Sequence, residues 1–250
     1  MGQGGNGQDE EWPTALLYCA NEAVRVARRM INLSGKFIVF DGNEGSGKST
    51  QARLLQERLA REGRGPDSML VRDPGTTRIG EQIRAILLNP DNAEMAMRCE
   101  MLLYMSARAQ MMSQVIRPAL DQGKLVLSDR FVSSTLAYQL GGDGLTASEI
   151  KSVADIAIRG RWPDLTIILD MPTQASMDRV LPKFSLFPDD PDAGLEKDRI
   201  ERRPLAYHEQ VRQNYLAQAK RGPRRYRVVN ADRPPTVVHD DVWRVLEGLR

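Results

Sequence analysis

The chain has 250 residues, 41% of them hydrophobic and 27% charged, with a formal net charge of +2. That length supports one α/β domain with additions and a core large enough to stand alone, and the near-balanced charge speaks against a nucleic-acid or membrane partner. Two cysteines, Cys19 and Cys99, form neither a metal set nor a disulfide framework, and neither a membrane span nor a signal peptide is legible, so the expectation is a cytoplasmic protein with reduced thiols.

In chain order, residues 1–12 are polar and Gly-rich and read as disordered. Residues 14–31 interleave Leu16, Leu17, Val24, Val26 and Ile31 with Arg25, Arg28 and Arg29, the pattern of an amphipathic helix. Residues 1–34 thus read as an N-terminal extension, or as a start-site artefact, since Met30 opens a natural-looking start. From 35 to 250 strands and helices alternate. Phe37, Ile38, Val39 and Phe40 form a buried strand ending at Asp41, and from Ser49 the spacing of Leu54, Leu55 and Leu59 is helical. Strands follow at 68–72, 125–129, 165–170 and 226–230, and helices at 80–88, 95–120, 147–159, 173–180, 205–220 and from about 236. Met95, Met97, Met101, Met105, Met111 and Met112 on the long helix read as adaptable core filler. This alternation implies a three-layer α/β fold, a five-stranded parallel sheet with helices on both faces, whose ligands gather beyond the carboxyl ends of the strands. The Pro- and Asp-rich stretch 181–197 has no periodicity and reads as a loop, within a lid expected over about 179–203.

The most informative motif is Gly42-Asn43-Glu44-Gly45-Ser46-Gly47-Lys48-Ser49, followed by Thr50. It is a complete G-x-x-x-x-G-K-[ST] loop between a strand and a helix. Its glycines let successive N–H groups face a phosphate at a helix N-terminus, Lys48 adds a point charge, and the Ser49 hydroxyl can ligate Mg²⁺. These features predict binding of ATP or another nucleoside triphosphate. Asp129, ending the apolar strand Leu125-Val126-Leu127, is placed to reach Mg²⁺ in the manner of a Walker B acid.

With the phosphate loop, five further segments occur in order: Arg-Asp-Pro-Gly-Thr at 72–76, Tyr-Met-Ser-Ala-Arg at 104–108, Ser-Asp-Arg-Phe-Val-Ser-Ser-Thr-Leu-Ala-Tyr-Gln at 128–139, Arg-Trp-Pro-Asp-Leu-Thr at 161–166 and Asp-Arg-Ile-Glu at 198–201. Together they resemble the thymidylate kinases of the P-loop nucleoside-monophosphate kinase group, over essentially residues 35–250. The resemblance implies transfer of the γ-phosphoryl of ATP onto dTMP with Mg²⁺, for dTTP synthesis, by a homodimer. It implies that Glu44 faces the acceptor sugar, that Arg72 and Arg130 grip the acceptor phosphate, and that Tyr104 stacks on thymine. Arg108 would meet thymine O4, Ser134, Thr135 and Gln139 would lie near the base, and the Tyr138 ring would crowd C2′. The phosphate loop holds no arginine, so the resemblance asks the lid to supply charge. Residues 181–197 contain only Lys183 and Lys197, leaving Arg179, Arg199, Arg202 and Arg203 at the edges; Arg179 and Arg199 are the expected catalytic pair, beside Lys48, Arg130 and Asp129. The competing readings are a kinase of another deoxynucleoside or its monophosphate such as dUMP, a binding module that turns over weakly, and an NTPase driving a partner.

Overall fold

The computed structural model of the protein describes residues 31–62, 67–180 and 197–249. The helix expected over 14–31 and the stretch 181–196 of the loop lie outside the described residues, apart from Ile31. The chain divides between Ile31 and Asn32, and the sheet and its helices belong to the second unit.

Five parallel strands, β1 (Phe37–Asp41), β2 (Ser68–Arg72), β3 (Leu125–Asp129), β4 (Leu165–Asp170) and β5 (Tyr226–Asn230), lie in the order β2-β3-β1-β4-β5. Central β1 and β3 are buried at every residue, which is why their sequences run apolar without alternation. Edge strand β5 is mostly exposed and carries Arg227, a charge that blunts an open edge. Register aligns Arg72 with Asp129 and Phe40 with Asp129. The phosphate loop, Arg72 and Arg130 therefore emerge from adjacent strand ends, at the switch point where the strand order reverses.

The helices are α1 (Lys48–Glu62), α2 (Arg78–Leu88), α3 (Met97–Met111), α4 (Arg117–Asp121), α5 (Val132–Tyr138), α6 (Ala147–Ile158), α7 (Thr173–Asp178), α8 (Leu205–Arg221) and α9 (Pro235–Glu247). Right-handed crossovers in this strand order put α1 on one face, where α9 packs against it, and the helices from α2 to α8 on the other. α6 starts with a capping box: Thr146 accepts from the Glu149 N–H, and the Glu149 carboxylate accepts from the Thr146 N–H.

Two elements differ from expectation. The helix predicted over 95–120 is interrupted by a π-helical turn, Met112–Ile116, immediately before α4. The wider turn accommodates Pro118, whose ring would otherwise press on the carbonyl four residues earlier, and it keeps Met111, Met112 and Ile116 all buried. The second is α5, which has no amphipathic signature because all seven of its residues are buried. Its hydroxyls are satisfied inside: Ser133 and Ser134 donate to Asp41, and Thr135 accepts from Arg108. Phe131, just ahead of α5, packs edge-on against Phe37 of β1 with centroids 4.9 Å apart. This contact seats the site-bearing helix on the sheet, and both rings are fully buried. Phe131→Ala is expected to lower stability by about 3–5 kcal/mol, measured as a shift of the urea unfolding midpoint.

Candidate active site

The phosphate loop is shaped by close approaches that exclude side chains. A Cβ on Gly42, at φ +136°, would lie 2.5 Å from the Leu169 carbonyl, and one on Gly45, at φ +69°, would run into the Ser176 carbonyl. The Ser176 hydroxyl of α7 donates to the Glu44 carbonyl and holds the tip of the loop. Lys48 is buried and donates to the Asn43 carbonyl at 2.7 Å. Burial, then the neighbouring Arg130, lowers its pKa. The Ser49 hydroxyl donates to the Asp129 carboxylate, so these two hard oxygen groups converge at the start of α1. A hydroxyl and a carboxylate already in contact fit a small hard cation that takes one or two protein ligands.

Arg130 follows β3 in the left-handed region, at φ +71°. Its backbone N–H donates to the Phe40 carbonyl at 2.9 Å, and its carbonyl accepts from the Ser128 hydroxyl at 2.6 Å. Those bonds hold a non-glycine residue in a conformation that costs roughly 1–3 kcal/mol, a cost that points to function. The guanidinium donates to the Glu44 carboxylate at 2.5 Å, to the Gly42 carbonyl at 3.2 Å and to the Ser134 hydroxyl at 3.1 Å, and lies 5.3 Å over the Tyr138 ring. The Tyr138 hydroxyl donates to the same Glu44 oxygen at 3.5 Å. Burial opposes the charge on Arg130, but Glu44 leads the groups that outweigh it and raise its pKa. Burial likewise raises Tyr138.

The structure therefore gathers Lys48, Ser49, Asp129, Arg130, Glu44, Ser134 and Tyr138 around the phosphate loop, with Arg72 one strand away. Arg72 donates to Glu81 at 3.3 Å, and the Thr76 N–H also donates to Glu81. Tyr104 is half-buried on α3, 5.6 Å from the Arg108 guanidinium. Arg108 itself is only 1% exposed. It donates to Asp73 at 2.6 Å, to Thr135 at 2.7 Å and to the Phe131 carbonyl at 2.9 Å, which makes it a buried hub joining α3, the β2 end and α5. Gln139 is also buried and donates to Glu100.

The two lid-edge arginines separate. Arg179 sits at the end of α7, its Cβ beside Gly45, with its guanidinium donating to Asp232 at 3.2 Å and to the Ala231 carbonyl at 3.5 Å. Arg199 is buried and committed elsewhere, donating to Glu100 at 2.5 Å and to the Leu87 carbonyl at 2.8 Å. Its place here is that of a structural cation, because a buried carboxylate needs its charge more than solvent does.

Sequence reasoning passed over Asp41, Glu100 and Tyr215. Asp41 is fully buried and accepts from the Gly42 N–H, from Ser133 and Ser134, and from Tyr215 at 2.5 Å. An acid closing an apolar strand directly before the loop was a usable signal. So was Glu100, the acid four residues before Tyr104 on the same helix face.

A family profile described as thymidylate kinase matches residues 40–242. The chain belongs to the thymidylate kinase family. It is 45% identical to the thymidylate kinase of Pelotomaculum thermopropionicum over 217 residues, 87% of this chain and 95% of the relative. With the thymidylate kinase of Nitratidesulfovibrio vulgaris it shares 40% identity, covering 85% of this chain and 96% of that one. The fold matches the crystal structure of a thymidylate kinase from Ehrlichia chaffeensis with a TM-score of 0.65 at 29% identity, covering 86% of this chain and 99% of the other. The five-stranded parallel sheet expected from the sequence is the fold observed.

The Glu44–Arg130 pair makes this family member's site pH-sensitive at the acid end. Burial pushes the Glu44 carboxyl up, but Arg130 and then Lys48 outweigh it and hold its pKa at about 2, below the ordinary 4.5. A depressed folded-state pKa stabilises above the ordinary value, and that stability is lost as pH falls toward the folded one. Between pH of about 4.5 and about 2, the denaturant midpoint of the protein is expected to fall more steeply than that of Glu44→Gln.

Proposed function

We propose that this chain transfers the γ-phosphoryl group of ATP to dTMP, forming ADP and dTDP for dTTP synthesis. The observation that carries the reading is the Glu44–Arg130–Tyr138 cluster. A nucleotide loop that only hydrolysed ATP has no use for an acid at its tip clamped by an arginine and a tyrosine from the next strand and helix.

The residues 42–50 and Lys48 cradle the donor phosphates. Ser49 and Asp129 are the groups that would hold Mg²⁺, which, when bound, would neutralise negative charge on the donor phosphates. Arg72 and Arg130 hold the acceptor phosphate, whose oxygen attacks in line with the departing ADP oxygen. Phosphoryl transfer asks mainly for positioning and for fixed positive charge, so no covalent nucleophile is needed. Glu44 accepts a hydrogen bond from the deoxyribose and keeps Arg130 aimed. Tyr138 crowds the 2′ side of the sugar and thereby favours deoxyribose. Tyr104 stacks on the base, and Ser134, Thr135 and Gln139 line it. Arg108, through Asp73 and Thr135, fixes the walls against which the base rests and leaves an edge for O4. Arg179, next to Gly45, supplies the charge that the loop lacks.

Purified protein with ATP and Mg²⁺ is expected to release ADP only with dTMP present, with matching dTDP, as read by nucleotide chromatography. ADP release without an acceptor would point instead to an NTPase. Arg130→Ala is expected to lower kcat/KM by about 10²–10³, and Arg179→Ala to lower kcat without moving the unfolding midpoint.

We also propose a homodimer in the cytoplasm. Ile79 and Ile86 of α2, Leu102 of α3 and Ile156 of α6 are exposed on neighbouring helices of one layer, the last at 79%. Among the described residues no helix is long and apolar enough to cross a membrane. Light scattering is expected to give twice the chain mass, and Ile156→Glu with Leu102→Glu to give the single mass.

A further inference from the structure

We propose that Glu100 is a positioning residue that sets the hydrogen-bonding polarity of Gln139, so that the acceptor site selects a pyrimidine offering an N–H donor at N3. The inference rests on the reading of Gln139 as base-facing.

Glu100 lies on α3 with no exposure, one turn before Tyr104. One carboxylate oxygen accepts from the Gln139 side-chain amide at 2.7 Å. The other accepts from Arg199 at 2.5 Å and from Arg203 at 2.6 Å. A carboxylate held by two guanidinium groups can only accept. The nitrogen of the Gln139 amide must therefore face Glu100, and its carbonyl oxygen must face away. That oxygen receives no hydrogen bond among the described residues. The backbone of Gln139 is fixed by its N–H to the Thr135 carbonyl at 3.0 Å. The preceding residue, Tyr138, reaches Glu44 of the phosphate loop, so the directed oxygen belongs to the turn that borders the acceptor.

The two arginines are themselves pinned. Arg199 also donates to the Leu87 carbonyl at 2.8 Å, and Arg203 donates to the Tyr207 hydroxyl, which donates to the Tyr138 carbonyl at 2.7 Å. Neither can move to the other oxygen of Glu100 without breaking those bonds. The result is a fixed acceptor at Gln139. Thymine and uracil present an N3–H to such an oxygen, whereas the N3 of cytosine is itself an acceptor and would meet it lone pair to lone pair, leaving both unpaired.

This arrangement makes a specific demand on Glu100→Gln. The new amide must turn its oxygen to the two arginines, so its nitrogen faces Gln139. Gln139 must then rotate its own oxygen inward and offer nitrogen to the base. The polarity of the site inverts without loss of side-chain volume.

The test is the ratio of kcat/KM for dTMP to that for dCMP, measured with the full-length protein, and with dUMP as control. Wild type is expected to favour dTMP, and in Glu100→Gln the ratio is expected to fall about tenfold or more, while the dTMP-to-dUMP ratio stays put because both bases carry N3–H. Gln139→Leu, which removes the amide, is expected to lower the dTMP-to-dCMP ratio similarly, and adding Glu100→Gln to it to change nothing further. A merely structural Glu100 would lower activity on all acceptors equally. A dTMP-to-dCMP ratio within about twofold of wild type in Glu100→Gln, or in Gln139→Leu should the first variant not fold, overturns the inference. Wild type that does not phosphorylate dTMP overturns the functional reading, and the inference with it.

Discussion

The site depends on one buried carboxylate. Asp41 ends the central strand with no exposure, and four groups donate to it from the loop, from α5 and from α8: the Gly42 N–H, Ser133, Ser134 and Tyr215. The Arg130 guanidinium stands 3.6 Å away. An ion taken this far out of water is tolerated only when its lone pairs are filled, so the requirements of Asp41 dictate the rest. They explain why α5 is rich in hydroxyls although wholly buried, and why a tyrosine of α8 reaches under the phosphate loop. Arg130 enters a left-handed backbone conformation at the one place where its charge balances both Asp41 and Glu44. Burial raises the Tyr215 pKa, which keeps its hydroxyl a donor to that carboxylate.

Most of the sheet was legible because parallel central strands carry a signal that needs no context. The runs 125–129 and 165–170 coincide with observed central strands, each an apolar stretch cut off by a charged residue, and 68–72 and 226–230 coincide with the two edge strands. The phosphate loop was legible for a different reason, since its glycines at positive φ recur in a fixed pattern within eight residues, whatever distant carbonyls they also approach. What was lost is whatever takes its meaning from partners distant in sequence. α5 reads as Val-Ser-Ser-Thr-Leu-Ala-Tyr, with no polar face, because its solvent is Asp41 on one side and Arg108 on the other. The π-helical turn was hidden because Pro118 implies a break, whereas the chain absorbs it by widening one turn. Arg199 was singled out by proximity in sequence: it sits at the lid edge, and in the structure Glu100, ninety-nine positions away, holds its guanidinium.

The same logic accounts for how a site built for highly charged ligands stays folded by itself. In the proposed reading each cation assigned to a phosphate already has a protein partner that can be exchanged. Lys48 donates to the Asn43 carbonyl, Arg72 to Glu81 and Arg130 to Glu44. Each partner is an oxygen acceptor, the chemical class of a phosphate oxygen, so ligand binding replaces like with like and no cation has to be stripped bare on the way. The exchange also ranks the groups. Glu44 is an ionised partner held at a pKa of about 2, so Arg130 gives up or shares more on binding than Lys48, whose partner is a neutral carbonyl. Under the proposed function Glu44 stays useful after the exchange, since a carboxylate at the loop tip beside Tyr138 is an acceptor suited to a sugar hydroxyl. Pre-pairing thus supplies both folding stability and orientation, because the bonds that satisfy these groups also point them at the space between the loop and α5. The Glu100 cluster extends that principle one layer outward: there the partners are fixed rather than exchangeable, and what they hold is the polarity of an amide instead of the direction of a charge.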